Sequence, residues 1–432
     1  MNRREFSLCL FAAAGVPILH GCATSPVTGE RILVGISEAD EVRIDKEQAP
    51  HQFSRDLGAV DDAGLQAYIR EVGESIHSRS HRPQMPYNYQ VLNANYLNAY
   101  TFPAGSMGLT RSIVAQMRDE AQLAGLLGHE VGHVNARHSA QRQGQGLLAQ
   151  VAVATVAIAA ESRQPGLGGL AQLGGSVGAS ALLASYSRDN EREADALGMN
   201  YMQQAGYDPQ GMVRLMQLLN SEKERTPSML EAMFSSHPMS SERLATATQA
   251  AGRIPASGVA PKIAFERYQD RTASIQRLKS TIDACQKCET AIATKRLPEA
   301  EEHASAALAR TPRDYAGNVL MARALISQKR HSQAQRFLET AKEVLPREAH
   351  AHRLSAANAL ADGKSTLALN DINQAARLLP GDPSASFLRG MAFEQLGDRR
   401  QAAAQYREHL QSVQSGPSAQ LASQRLREWG VR

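Results

Sequence analysis

The chain has 432 residues, of which 43% are apolar and 21% charged, with a formal charge of +4. That balance suits a globular protein of two or three domains and excludes a low-complexity or disordered chain. Aromatic residues make up only 5%, and no Lys/Arg block interleaved with aromatics marks a nucleic-acid surface.

The N-terminus reads as a targeting segment. Arg3 and Arg4 precede an apolar stretch, Leu8 to Leu19, that is too short for a comfortable membrane span. Leu19-His20-Gly21-Cys22 resembles a bacterial lipobox, with His20 as a departure, so Cys22 is the expected lipidation site. Ala23 rather than Asp follows it, which by that resemblance favours the outer membrane. Arg3-Arg4-Glu5-Phe6 also resembles a twin-arginine export signal, ranked behind the ordinary route. The expected location is the periplasm, with a lipoprotein anchor in the outer membrane. Cleavage without lipidation would still release a periplasmic protein.

From about Ile36 to Ser80 the chain reads as helix, with Leu65, Tyr68, Ile69, Val72 and Ile76 at helical spacing. Tyr87 to Leu92 alternates apolar and polar and predicts a short strand. Asn98 to Thr110 predicts two short strands turning at Pro103-Ala104-Gly105. They form either a plain hairpin over the core or the edge that receives a substrate backbone by strand addition.

Arg118 to Ala140 is predicted to be one helix, and it carries His129-Glu130-Val131-Gly132-His133. Positions i and i+4 lie on one helix face, so the two imidazoles can bind one metal ion. Zinc is the usual occupant of a nitrogen and carboxylate site. Glu130 is then placed to take a proton from water at the metal. Three fixed positions in five also arise by chance, so the pattern needs a third ligand. One established spacing requires Gly and His three and six residues after the second ligand, and Ala136 and Ser139 stand there instead. His138 falls about 140° round the same helix and is expected to be structural. Gln145 to Ala184 is Gly- and Ala-rich and almost uncharged; it reads as a helical hairpin or lid over the cleft, with a membrane-dipping segment as the alternative. The acid-rich helix Arg188 to Gln204 is the better source of a ligand. Glu191 and Asp195 are four apart and share a face, so Glu191 can bind the metal while Asp195 orients a ligand imidazole. Glu193 points elsewhere.

Residues 98 to 243 resemble the M48 family of zinc metallopeptidases. The resemblance rests on the His129 to His133 motif, on Glu191-Arg-Glu-Ala-Asp195, and on His237-Pro238 with Arg243 six residues after His237. It implies one Zn2+ per chain held by His129, His133 and Glu191, with Glu130 as base and His237 and Arg243 at the cleft as catalytic residues. In periplasmic members the residue matching His237 can approach the zinc and hold the enzyme off.

Gly252 to Pro261 reads as a linker. Cys285 and Cys288 form C-x-x-C without the second pair of a zinc ribbon, so they read as packed apolar residues or as a disulfide. Pro312, Pro346 and Pro380 are each 34 residues apart, and Ala300, Ala334, Ala368 and Ala402 keep the same register. That period is the tetratricopeptide length. About four repeats are expected from 281 to 416, with a capping helix to Trp429. They form a concave surface for peptides or partner proteins, the alternative being a plain helical spacer.

The expected fold is mainly α: a zincin-like metallopeptidase domain with a small β-sheet, followed by an α-solenoid. The expected division is signal 1–22, peptidase domain 23–255, connection 256–280 and repeats 281–432. A signal, an M48-like domain and tetratricopeptide repeats in that order resemble cell-envelope proteases of Gram-negative bacteria, and that resemblance implies an endopeptidase acting on misfolded or stalled outer-membrane proteins. The repeats would then give chaperone-like help and contact the outer-membrane assembly machinery. The alternative is a non-proteolytic periplasmic chaperone or scaffold with a latent zinc site.

Overall fold

The computed structural model describes residues 21–146, 186–225, 233, 237–238, 240–253 and 260–431. The expected signal up to residue 20, the Gly- and Ala-rich stretch from residue 147 on, and most of the linker lie outside the described residues. Within them no helix is long and apolar enough to cross a membrane.

The described chain opens on an antiparallel ribbon, β1 (Cys22–Thr24) and β2 (Arg31–Leu33), in which Cys22 is exposed. The sequence carries no strong signal for it. The single helix expected from 36 to 80 is two. Helix α1 (Glu38–Arg55) starts at a Ser37/Asp40 capping box, and α2 (Ala63–His77) starts at Asp62. Leu57 and Gly58 between them adopt φ of 67° and 69°, a left-handed turn that no helix can run through. The series Leu65, Tyr68, Ile69, Val72 and Ile76 forms the buried stripe of α2, as its spacing predicts. Strands β3 (Asn88–Leu92), β4 (Ala99–Thr101) and β5 (Ser106–Thr110) form a sheet of order β3-β5-β4. The β4–β5 hairpin is antiparallel, while β3 runs parallel to β5.

Short helix α3 (Arg111–Gln116) leads to α4 (Glu120–Asn135), whose residues are all buried. An Asp119/Gln122 capping box starts α4. Its end comes earlier than the expected Ala140, because Arg137 takes φ of 58° directly after the C-cap Ala136. Helices α5 (Arg188–Gln204), α6 (Gln210–Arg225) and α7 (Ser241–Arg253) follow. Gly128 and Gly132 of α4 face Gly198 and Ala194 of α5. A methyl group on Gly198 would sit 2.6 Å from the His129 backbone nitrogen. Glycine on this seam lets the two backbones touch, and that contact brings the acid-rich helix onto the histidine helix.

After α8 (Phe265–Arg271) the chain becomes helical pairs: α9 (Lys279–Ala293) with α10 (Leu297–Arg310), α11 (Tyr315–Ser327) with α12 (His331–Val344), α13 (Ala349–Ala361) with α14 (Ser365–Leu378), and α15 (Pro383–Gln395) with α16 (Arg399–Ser412). Helix α17 (Pro417–Glu428) closes the array. The second helices begin at 297, 331, 365 and 399, so the 34-residue period of the sequence is the period of the structure. Ala300, Ala334, Ala368 and Ala402 are fully buried where paired helices touch. Cys285 and Cys288 are free, buried thiols in the first pair, not a disulfide. The repeats dock on the sheet domain through a buried ion pair. Arg111, 1% exposed, bonds Asp314 Oδ2 through Nη1 at 2.6 Å and Asn95 Oδ1 through Nε at 3.0 Å.

Candidate metal centre

Helix α4 places His129 and His133 one turn apart, with their Nε2 atoms 3.1 Å from each other. Helix α5 supplies Glu191, whose Oε2 lies 3.5 Å from His129 Nε2 and whose Oε1 lies 3.3 Å from His133 Nε2. His237, from the segment before α7, places Nδ1 3.3 Å from His129 Nε2 and 3.0 Å from Glu191 Oε1. All four side chains are buried, and one ligand atom from each lies within 4.8 Å of the others. Zinc bonds of about 2.0–2.1 Å at tetrahedral angles set ligand atoms about 3.3–3.4 Å apart. The observed separations bracket that value, so the donor set fits a zinc ion, with His237 at the fourth corner. Glu130 is buried beside the cluster, with Oε1 3.8 Å from His237 Nε2. Its Oε2 has no hydrogen-bond partner among the described residues. The space beside it is about 30 Å³, lined by Leu126, Met212, Met216, Leu219 and Met233. That is room for a water or two.

The charges around the cluster are ordered by specific pairs. Burial alone would raise the Glu191 carboxyl, but the charge of His237 and His129 and hydrogen bonds from His133 and His237 hold it far below the usual carboxylate range. Burial also opposes ionisation of Asp195, and hydrogen bonds from His129 and Arg243 again keep it low. Both carboxylates are therefore ionised and can receive a cation. Burial pushes His133 well down and Glu130 up. His129 is raised: burial works against its charge, and the neighbouring Glu191 and Asp195 outweigh burial. Asp195 Oδ1 lies 2.9 Å from His129 Nδ1, on the side of the ring away from Nε2, which faces the cluster. Arg243 lines the same small space as Glu130 and His237, and its guanidinium is held by the carboxylates of α5. Its Nε and Nη2 grip Asp195 at 2.7 and 2.8 Å, and its Nη1 donates to the Pro238 carbonyl at 3.0 Å and pairs with the charge of Glu191, 2.6 Å from Oε2.

Two further residues belong to the site: His138, which the helical-wheel argument turned away from the metal face, and Tyr186, which the sequence reading did not single out. His138 is not on α4, because the left-handed Arg137 turns the chain back. Its Nδ1 lies 2.8 Å from His133 Nδ1, and its Nε2 lies 3.1 Å from Glu193 Oε2. With His133 Nε2 facing the cluster, the network assigns His133 Nδ1–H as donor to His138 and His138 Nε2–H as donor to Glu193. Glu193 thus points away from the metal position, as its spacing predicts, and still acts on it through two imidazoles. Tyr186 is the other omission. Its ring stacks on His133 at 3.9 Å between centroids, and its hydroxyl lies 3.2 Å from Ser139 Oγ. The turn at residue 137 has no glycine to announce it, so no local signal pointed to His138.

Comparison with known proteins agrees with this geometry. Residues 63–251 match the model of peptidase family M48, and residues 291–357 match a tetratricopeptide repeat model. The β-barrel assembly-enhancing protease of Yersinia pestis is 29% identical over 251 residues, which cover 55% of this chain and 51% of that protein. The Escherichia coli (strain K12) protein of the same name is 28% identical over 200 residues, 45% of this chain and 40% of that one. Metalloprotease YcaL of the same strain is 34% identical over 164 residues, 37% of this chain and 59% of YcaL. The matched stretch spans about half the length of the first of these relatives, and less of the second. The chain therefore carries a peptidase family M48 domain followed by tetratricopeptide repeats.

Proposed function

We propose that the chain is a zinc-dependent metalloendopeptidase of the bacterial cell envelope, cutting misfolded or stalled outer-membrane proteins that its repeats hold. The observation that carries the reading is the buried His129, His133, Glu191 and His237 cluster with Glu130 beside it. The names of the relatives and the lipobox-like Cys22 support the envelope setting and the class of substrate.

His129, His133 and Glu191 would hold the zinc, which when bound supplies Lewis-acid polarisation of a carbonyl and acidifies water. Glu130 takes the proton of the attacking water and delivers it to the leaving amine. Asp195 and the His138–Glu193 pair fix the two ligand imidazoles, and Arg243 locks Asp195 to Glu191. The outer edge of β4 would receive the substrate backbone by strand addition. His237 stands where a substrate carbonyl or water would enter, and we assign it as a latch. Replacing His237 by Ala should raise proteolysis; a fall would assign it to oxyanion stabilisation instead.

The same fourth donor supports a second reading, a chaperone or scaffold with a latent site, because structural zinc is ordinarily held by four protein ligands. Casein digestion by purified protein separates the two. The wild type should cut, and Glu130→Gln and chelator-treated protein should not, with zinc content unchanged in the variant. Wild type without activity, or a Glu130→Gln protein as active as wild type, would reject the peptidase reading.

A further inference from the structure

A groove of about 880 Å³ lies between α1 of the peptidase domain and the inner faces of α13, α15 and α16. Its walls come from two domains, and they are joined beside it by Ser54 of α1, which donates to Glu348 Oε1 at 2.5 Å. The floor is apolar, formed by Leu354, Phe387 and Leu388. The polar lining is one-sided. Arg55 and Arg353 face it with the imidazoles of His51, His350 and His409, against a single carboxylate, Asp382. Asp382 is already paired with Arg353. His409 is also engaged, with Nδ1 2.9 Å from the Pro383 carbonyl and Nε2 3.0 Å from Ser418 Oγ. Arg55 is different. It is exposed, and it makes no hydrogen bond or ion pair among the described residues. A cation left open above an apolar floor is complementary to a ligand that carries carboxylates between apolar side chains.

The two longer segments of this chain outside the described residues lack that chemistry, and the short one that carries Glu231 is tethered between Arg225 and Met233, which lines the space beside Glu130. Residues 1–20 carry Arg3 and Arg4 against Glu5, and residues 147–185 carry only Glu161 and Arg163. The complementary occupant is another polypeptide. We propose that this composite groove docks acidic, apolar-rich segments of extended client polypeptide, with Arg55 supplying the selecting charge from the peptidase side. The proposal rests on the reading that the repeats hold polypeptide and does not depend on whether the zinc site cuts. The wall that carries Arg55 also braces the β4–β5 hairpin. Asp45 of α1 accepts from the Ala104 and Ser106 backbone nitrogens at 2.9 and 3.1 Å, and Asp56, which caps α1, accepts from the Tyr100 hydroxyl of β4. One helix therefore presents the docking charge and holds the strand proposed to receive substrate.

The test measures fluorescence anisotropy on the full chain carrying Glu130→Gln, so that peptide is not consumed. The probe is a fluorescein-labelled, C-terminally amidated dodecapeptide alternating Glu with Leu or Phe. Control peptides replace every Glu by Gln or by Lys. The acidic peptide should bind at least tenfold tighter than the Gln peptide, and the Lys peptide should not bind. Adding Arg55→Glu should weaken the acidic peptide at least tenfold and improve the Lys peptide, with a cooperative melting curve retained because Arg55 is exposed. Equal binding of the acidic and Gln peptides would overturn the proposal, as would an Arg55→Glu protein with unchanged affinity. A Gln peptide with a free terminal carboxylate that binds as tightly as the acidic one would also overturn it, and would assign the groove to chain termini. Casein digestion by wild type runs alongside: binding without cutting sinks only the peptidase reading, and cutting without selective binding sinks only the groove.

Discussion

Gly198→Ala tests the idea that backbone contact between α4 and α5 builds the metal centre. The added methyl would lie 2.6 Å from the His129 nitrogen and 2.7 Å from the Gly128 carbonyl carbon, where ordinary contact begins at 3.4 Å. The shortfall is about 0.8 Å by subtraction. Both opposing atoms are main chain in a helix that is buried on every side, so no side chain can swing away. The helices must separate instead, and overpacking of this kind costs about 1–3 kcal/mol. Glu191 lies just under two turns before Gly198 on the same helix, so it moves with α5 away from His129 and His133. Zinc sites tolerate only about 0.2 Å in ligand distance. We expect zinc affinity to fall at least tenfold, together with a lower Tm. A competition titration against a fluorescent zinc chelator and a thermal melt would measure the two effects. Gly252→Ala is the control: its methyl would meet nothing within 4 Å, and it should bind zinc normally. A folded Gly198→Ala protein with wild-type zinc affinity would refute the reasoning.

Other outcomes follow from the same geometry. His138→Ala should weaken zinc binding by about 10- to 100-fold, the usual cost of losing a group that orients a ligand histidine, and Glu193→Gln should do so less; the same chelator titration checks both. Asp314→Ala leaves Arg111 charged and buried without its partner, so unfolding in urea should show a loss of about 3–5 kcal/mol. Replacing both residues together, Arg111→Met with Asp314→Leu, should restore part of that loss. Removing zinc by dialysis against a chelator should lower the Tm, since only the folded chain assembles the four donors; an unchanged Tm would mean that the folded protein holds no zinc there.

Much of the candidate centre was legible because its chemistry is written at helical spacing. His129 with His133, and Glu191 with Asp195, are each four apart. In the structure each pair shares a face, and the two faces meet. What spacing did not carry was the path of the chain after α4. The 140° argument assumed that the helix continued to residue 140. An arginine in left-handed conformation is not something a propensity reading foresees, and it is held from afar: Arg137 Nε bonds Glu41 of α1 at 2.9 Å, and Glu41 also bonds Arg82 at 2.8 Å. The turn that delivers His138 to His133 is therefore fixed by residues about a hundred positions away.

The repeats and their docking show the same division between near and far. A solenoid is stabilised by neighbours in sequence, so its 34-residue period stands in the chain as plainly as in the fold. The joint between repeats and peptidase does not. Asp314 reads locally as an N-cap, and it is one: it caps α11 by accepting from the Gly317 nitrogen at 2.7 Å. The same carboxylate also neutralises Arg111, 203 positions earlier, which sits directly after β5. One side chain thus starts a helix of the repeats and balances the charge of Arg111 behind the sheet. Helix α1 does similar double service, with Ser54 bonded to the repeats and Asp45 to the hairpin. Two connections on different elements, the Arg111 pair fully buried, make the repeats a wall of the peptidase domain, and the groove between them sets the charge of Arg55 from one domain beside an apolar floor from the other.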